Sequence, residues 1–259
     1  MNPYQEHIED LFSRILELRH ISSLLSSELN DSIEKIETND KINFISGSFL
    51  IISDWTEPLD TKWEINYHTG ISKITFKENY KDEVKKIISQ ECCYAFAQSF
   101  EALEKYLKDC VFLRMKLHHE FLEMIKKKYP NNHLRENLPG GDRLFDLIKM
   151  AFGENFISAS RQTEQKIKFK EFWSILSEIR HCVVHSKSII NLSKVNKSEY
   201  HKKIFNYFLI LTEIDKQSIL IELDYHKLDM LLKNISEFAF QIFKLLSIQE
   251  NLDWRILRE

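Results

Sequence analysis

Residues 91–125, ECCYAFAQSFEALEKYLKDCVFLRMKLHHEFLEMI, decide the fold. Their apolar members Phe96, Phe100, Leu103, Leu107, Cys110, Leu117, Phe121 and Ile125 follow one another by the steps of a helix. That spacing draws a single buried stripe on an α-helix. Arg114 is the one polar interruption of the stripe. The pattern predicts an unbroken helix over about 81–129, closed at Tyr129-Pro130, because a residue before proline leaves the helical region. A chain organised round such a helix is built as a helical bundle.

The flanking segments carry the same signal. Residues 225–248 repeat it with Leu228, Leu231, Leu232, Ile235, Phe238, Ala239, Ile242 and Leu246, and 168–185 form a shorter version. Residues 4–37 (Ile8, Leu11, Phe12, Ile15, Leu18) read as one or two helices. The loop 137–145 feeds a helix reaching Ala151, with Asp142 as its N-cap. Two segments differ. Residues 41–77 are β-branched and aromatic, divided by Gly47, Pro58 and His68-Thr69-Gly70, and predict an antiparallel sheet of two or three strands. Residues 205–224 read as a hairpin turning at Asp215-Lys216-Gln217, with a helix over 200–211 as the alternative. The expected fold is mainly α: a helical bundle over 81–259, preceded by a unit 1–80 of helix plus small sheet packed on it. Strands are expected only within 41–77 and 205–223.

Composition narrows the chemistry. Only five glycines occur among 259 residues, and 154–259 hold neither glycine nor proline. Neither GxGxxG nor GxxxxGK[ST] is present, which argues against phosphate-cradling nucleotide folds. The cysteines Cys92, Cys93, Cys110 and Cys182 form no CxxC pair and read as small buried hydrophobes. No signal peptide or membrane span is expected, so the reading is a soluble, cytoplasmic protein. Net charge is −3, yet 161–203 carry ten Lys and Arg against four Glu, a local +6. A basic segment in an acidic chain is either a solvated lysine face or a contact for a phosphate backbone.

Inside that segment lies EIRHCVVHS, residues 178–186. At about 100° per residue, Phe172, Leu176, Ile179 and Val183 form the buried stripe, while Ser174, Glu178, His181 and His185 share the opposite side. Arg180 flanks the stripe and diverges from His185 by about 140° on a regular helix. Three readings stay open from the residues alone. The histidines are surface residues, or His181 and His185 at i,i+4 are two zinc ligands still wanting a third. The third reading is metal-free acid–base chemistry on phosphate, with imidazoles exchanging protons and Arg180 holding phosphate oxygens.

Arg180-His181-Cys182-Val183-Val184-His185 at the end of an amphipathic helix resembles the HEPN superfamily motif, an arginine and a histidine four to six residues apart. SFEALEKYLKD (99–109) is similar to that family's first core helix and FWSILSEIRHCVVH (172–185) to its motif helix, so the likeness covers roughly 81–248. The resemblance implies a dimeric, metal-independent endoribonuclease of host-defence or toxin–antitoxin type, with no cofactor and no metal. It implies RNA as substrate, a homodimer joined through the motif helices, and an antitoxin or regulatory protein as partner. Arg180 would bind the scissile phosphate. His185 would serve as base on the 2′-hydroxyl or as acid on the leaving 5′-oxygen, yielding a 2′,3′-cyclic phosphate. His181 stands at the family's polar position. Glu178 is a supporting residue on helix geometry alone, placed to hold a histidine tautomer. Lys187, Lys194, Lys197, Lys202 and Lys203 would track the RNA backbone. One subgroup carries a modifiable tyrosine two residues after the histidine; Lys187 stands there, which departs from that pattern. The rival expectation is a non-catalytic HEPN-like helical module that binds a protein partner or a nucleotide, in which Arg180 pairs with Glu178 or with an acid from 96–109.

Overall fold

A computed structural model describes residues 2–53, 66–131, 134–153, 156 and 167–255. It is mainly helical, with a two-stranded sheet near the N-terminus and a three-stranded one near the C-terminus. The helices are α1 (Gln5–Glu37), α2 (Tyr80–Leu117), α3 (His119–Lys128), α4 (Gly141–Phe152) and α5 (Phe169–His185). They continue with the short α6 (Leu192–Val195), α7 (Glu199–Phe208) and α8 (Tyr225–Gln249). The strands are β1 (Phe44–Ser53), β2 (Asn66–Phe76), β3 (Ile189–Asn191), β4 (Ile210–Glu213) and β5 (Ser218–Glu222). Two compact units result, one of residues 25–88 and one of 1–24 with 89–259.

The larger unit is built round α5, because its apolar stripe meets four other helices. Trp173 packs on Phe100 of α2 with ring centroids 5.1 Å apart and on Phe145 of α4 at 6.3 Å. Phe172 meets Phe208 of α7 and Phe238 of α8, and Phe169 also reaches Phe238. Phe172, Leu176, Ile179 and Val183 are all buried, as the periodicity predicts. Dense aromatic packing of this kind fixes the rotation of α5 about its axis, and with it the direction in which Arg180 and the histidines point.

In the smaller unit β1 and β2 pair antiparallel, with Phe44 opposite Phe76, Gly47 opposite Ile74 and Ser48 opposite Lys73. Strand β1 runs through Gly47, so no division falls there, and the expected division at His68-Thr69-Gly70 does not occur either. Strand β2 runs through it, because Gly70 at φ 74° takes up a bulge between Phe49 and Ile51. Two strands are present among the described residues, and Pro58 lies outside them. Opposite residues share a face, so Phe44, Phe49, Ile74 and Phe76 lie together, all at least 45% exposed. On the other face Lys73 bonds Glu83 of α2, and Thr75 is buried.

Three further expectations are corrected, and one that left two alternatives open is resolved. The helix over 81–129 breaks at His118, whose φ −128° and ψ 100° are extended. There Arg114 Nη1 donates to Glu250 Oε1 at 2.6 Å, and His118 Nε2 lies 3.1 Å from the same oxygen. Tyr4 Oη donates to it as well, at 2.5 Å. No glycine or proline marks the break; it coincides with this long-range ion cluster. Asp142 is not the N-cap of α4. Gly140 is, and Glu104 Oε1 lies 2.6 Å from where a Cβ on Gly140 would stand. A side chain there would displace a carboxylate that complements the positive end of the helix dipole. Strand β3 lies outside the expected strand segments; it pairs with β5, giving the order β3-β5-β4. Over 200–224 the two alternatives divide the segment, α7 ending at Phe208 and the hairpin β4–β5 following. Its turn is as expected, with Asp215 Oδ1 accepting from the Gln217 and Ser218 amides.

Candidate functional site

Helix α5 stays regular to its end, with the Ser186 amide still bonded to the Cys182 carbonyl at 2.9 Å. Lys187 and Ser188 then both take positive φ, 50° and 62°, and turn the chain into β3. Two successive non-glycine residues in this region are uncommon. The turn is secured by the Ser188 amide on the Cys182 carbonyl at 3.1 Å and by the Ile221 amide on the Ser188 carbonyl at 2.8 Å.

A regular α5 keeps Arg180 and His185 about 140° apart, so one chain does not bring them together. Arg180 turns toward α2, where its Nη2 donates to Glu101 Oε1 at 3.2 Å. His181 and His185 are both exposed on the outer side, their ring centroids 5.0 Å apart. Glu178 holds neither ring. Its Oε2 accepts from Lys194 Nζ at 2.5 Å, so two of the expected site residues are committed to each other. Lys187, Lys197, Lys202 and Lys203 are exposed. Cys182, between the two histidines, is buried and donates to the Ile189 carbonyl at 3.1 Å. Burial pushes its thiol up to about 11, which leaves it protonated and unsuited as a nucleophile near neutral pH. Among the described residues no group of three His, Cys, Asp or Glu is placed to hold a metal ion.

Arg180 borders a hollow of about 310 Å³ that sequence reasoning missed. Its other walls are Glu101, Glu104, Lys105 and Lys108 of α2, together with Arg135. Glu101, Lys105 and Lys108 occur at i, i+4 and i+7, a polar face of the very stretch whose apolar stripe decides the fold. A second hollow of about 500 Å³ shares Glu101 and Lys105 and extends to His7 and Arg14 of α1. Asp109, buried in the wall of the larger hollow, accepts from Arg135 Nε at 2.6 Å and lies 3.7 Å from His7 Nδ1.

No family model matches this chain. No curated protein and no solved structure matches it either.

Proposed function

We propose that this chain is a metal-independent endoribonuclease of the HEPN type, working as a two-fold dimer in which Arg180 of one chain and His185 of the other address the same phosphate. The observation that carries the reading is the exposed imidazole pair His181 and His185, 5.0 Å ring to ring, starting one residue after Arg180. Exposed imidazoles exchange protons near neutral pH, and a guanidinium offers fixed donors to phosphate oxygens. In the reaction His185 takes the proton of a ribose 2′-hydroxyl while water protonates the leaving 5′-oxygen, or gives that oxygen its proton while water takes the hydroxyl's. The 2′-oxygen attacks phosphorus, the P–O5′ bond breaks, and a 2′,3′-cyclic phosphate remains. Arg180 stabilises the pentavalent transition state, and His181 orients the phosphate. A toxin or host-defence role in the cytoplasm, restrained by an antitoxin, belongs to the same proposal. Among the described residues no helix is long and apolar enough to cross a membrane.

A second reading has one observation in its favour. The Arg180–Glu101 pair is what a structural arginine in a non-catalytic, partner-binding module would make. Incubation with total RNA in EDTA separates the two. The ribonuclease cuts, and Arg180→Ala and His185→Ala each lose about 10²-fold or more in rate, the scale of a lost acid–base group or charge partner. RNA left intact by the wild type at every salt concentration supports the module and removes the enzyme.

A further inference from the structure

We infer that the hollow over α2 beside Arg180 is a phosphate-binding subsite for single-stranded RNA, and that Glu101 occupies it in place of a phosphate. The identity of the ligand as RNA rests on the ribonuclease reading; the subsite itself needs neither histidine. Four cations line the hollow, Lys105, Lys108, Arg135 and Arg180, against two carboxylates, Glu101 and Glu104. The two carboxylates are not equivalent. Glu104 is held by Lys108 at 2.9 Å and sits against Gly140 at the start of α4, where the helix dipole favours it. Glu101 has its Arg180 contact at 3.2 Å as its ion pair and a side chain 61% exposed. An exposed pair of this kind contributes little and exchanges readily for a better anion.

The cations are arranged to receive one. Asp109 holds the Arg135 guanidinium by its Nε at 2.6 Å, leaving the terminal nitrogens of the fork to other acceptors. Lys105 is exposed and forms no ion pair among the described residues. When Glu101 swings aside, Arg180, Lys105 and Arg135 face the space it leaves, and a phosphodiester brings the charge that they lack. Lys105 and Lys108 are the cations that α2 adds to Arg180 and Arg135. Of the lysines that follow the motif, Lys194 is already paired with Glu178. Arg180 is the residue common to the reaction site and this subsite.

The test is fluorescence anisotropy with a fluorescein-labelled, fully 2′-O-methylated oligouridine, which lacks the attacking hydroxyl, titrated in EDTA over a range of salt. Lys105→Ala/Lys108→Ala should bind several-fold weaker, with a salt slope smaller by about 0.7, the value for the one single-strand phosphate contact that Lys105 makes while Lys108 stays on Glu104. Glu101→Gln should bind several-fold tighter than wild type. An unchanged affinity and slope in the double variant overturns the subsite, and so does Glu101→Gln binding no tighter. No binding by the wild type at low salt overturns it as well. Circular dichroism verifies that each variant is folded. Cleavage of unmodified RNA is measured in parallel. Binding with this dependence on α2 but no cleavage removes the ribonuclease and keeps the subsite. Cleavage dependent on Arg180 and His185, with binding indifferent to the α2 variants, does the reverse.

Discussion

Subunit mixing gives the sharpest test of a shared reaction centre. On a regular α5 the Arg180 and His185 side chains leave the axis about 140° apart, so a phosphate held by one is on the wrong side for the other. A two-fold partner repairs this, because each residue then meets the symmetry mate's neighbourhood. Arg180→Ala and His185→Ala proteins are each expected to be inactive. Unfolded together in urea and refolded at equal concentrations, they form heterodimers as half of all dimers. In each heterodimer one composite site has lost both groups, while the other keeps an intact Arg180 and an intact His185. The mixture should recover about one quarter of wild-type activity, and heterodimers isolated by two affinity tags about one half. Cleavage of a fluorogenic RNA in EDTA is the readout. Isolated heterodimers no more active than either parent would refute the shared centre, as would a protein that is monomeric at every concentration assayed.

Other consequences follow from features away from α5. Glu250 receives Tyr4, Arg114 and His118 with only 7% of its side chain exposed. Glu250→Ala strands a buried guanidinium and should cost about 3–5 kcal/mol, or roughly 6–20 °C in Tm for a chain of this size. Arg114→Met/Glu250→Leu should recover most of that loss; a thermal melt showing the double variant lower than Glu250→Ala would contradict this account. Burial, with Lys197 nearby, lowers the His201 imidazole from its ordinary 6.5. The unfolded chain then binds more protons, so this stability contribution is complete above pH 6.5 and is lost as pH falls through the folded-state value. Urea midpoints at about pH 7.5 and about pH 5.5 should differ less in His201→Gln than in wild type, and an equal difference would exclude His201. On the strand pair, Phe49→Lys/Ile74→Lys replaces exposed apolar groups. It should reduce aggregation in light scattering while shifting stability by no more than about 0.5 kcal/mol per position.

What the sequence makes legible is what local period can encode. The stripe of α8 and the buried side of α5 are written at spacings of three and four, so Leu228, Ile235, Phe172 and Ile179 fall where they are expected. Strand β3 is three residues long, too short to display a period, and it exists because β5 offers it an edge. The break at His118 coincides with a contact to Glu250, 132 residues further along. The hollow beside Arg180 depends on Glu101, 79 residues distant. Its α2 half is visible as the polar spacing of 101, 105 and 108; that Arg180 and Arg135 join it is tertiary information with no local trace. The Arg180 and His185 spacing is fully legible, as is their divergence on a regular helix.

The contacts of residues 2 and 4 bear on the time course of synthesis. Asn2 Nδ2 donates to Ser247 Oγ at 2.7 Å and to the Asp253 carbonyl at 2.8 Å, and Tyr4 Oη closes on Glu250. Tyr4, Ile8 and Leu11 are at most 3% exposed in the finished fold. The end of α8 that receives Asn2 and Tyr4 is made about 245 residues later, roughly 10–50 s at ordinary translation rates. Throughout that interval the ribosome holds out an amphipathic helix whose docking surface is incomplete, so a nascent chain stalled before α8 is a natural client for chaperones and proteases.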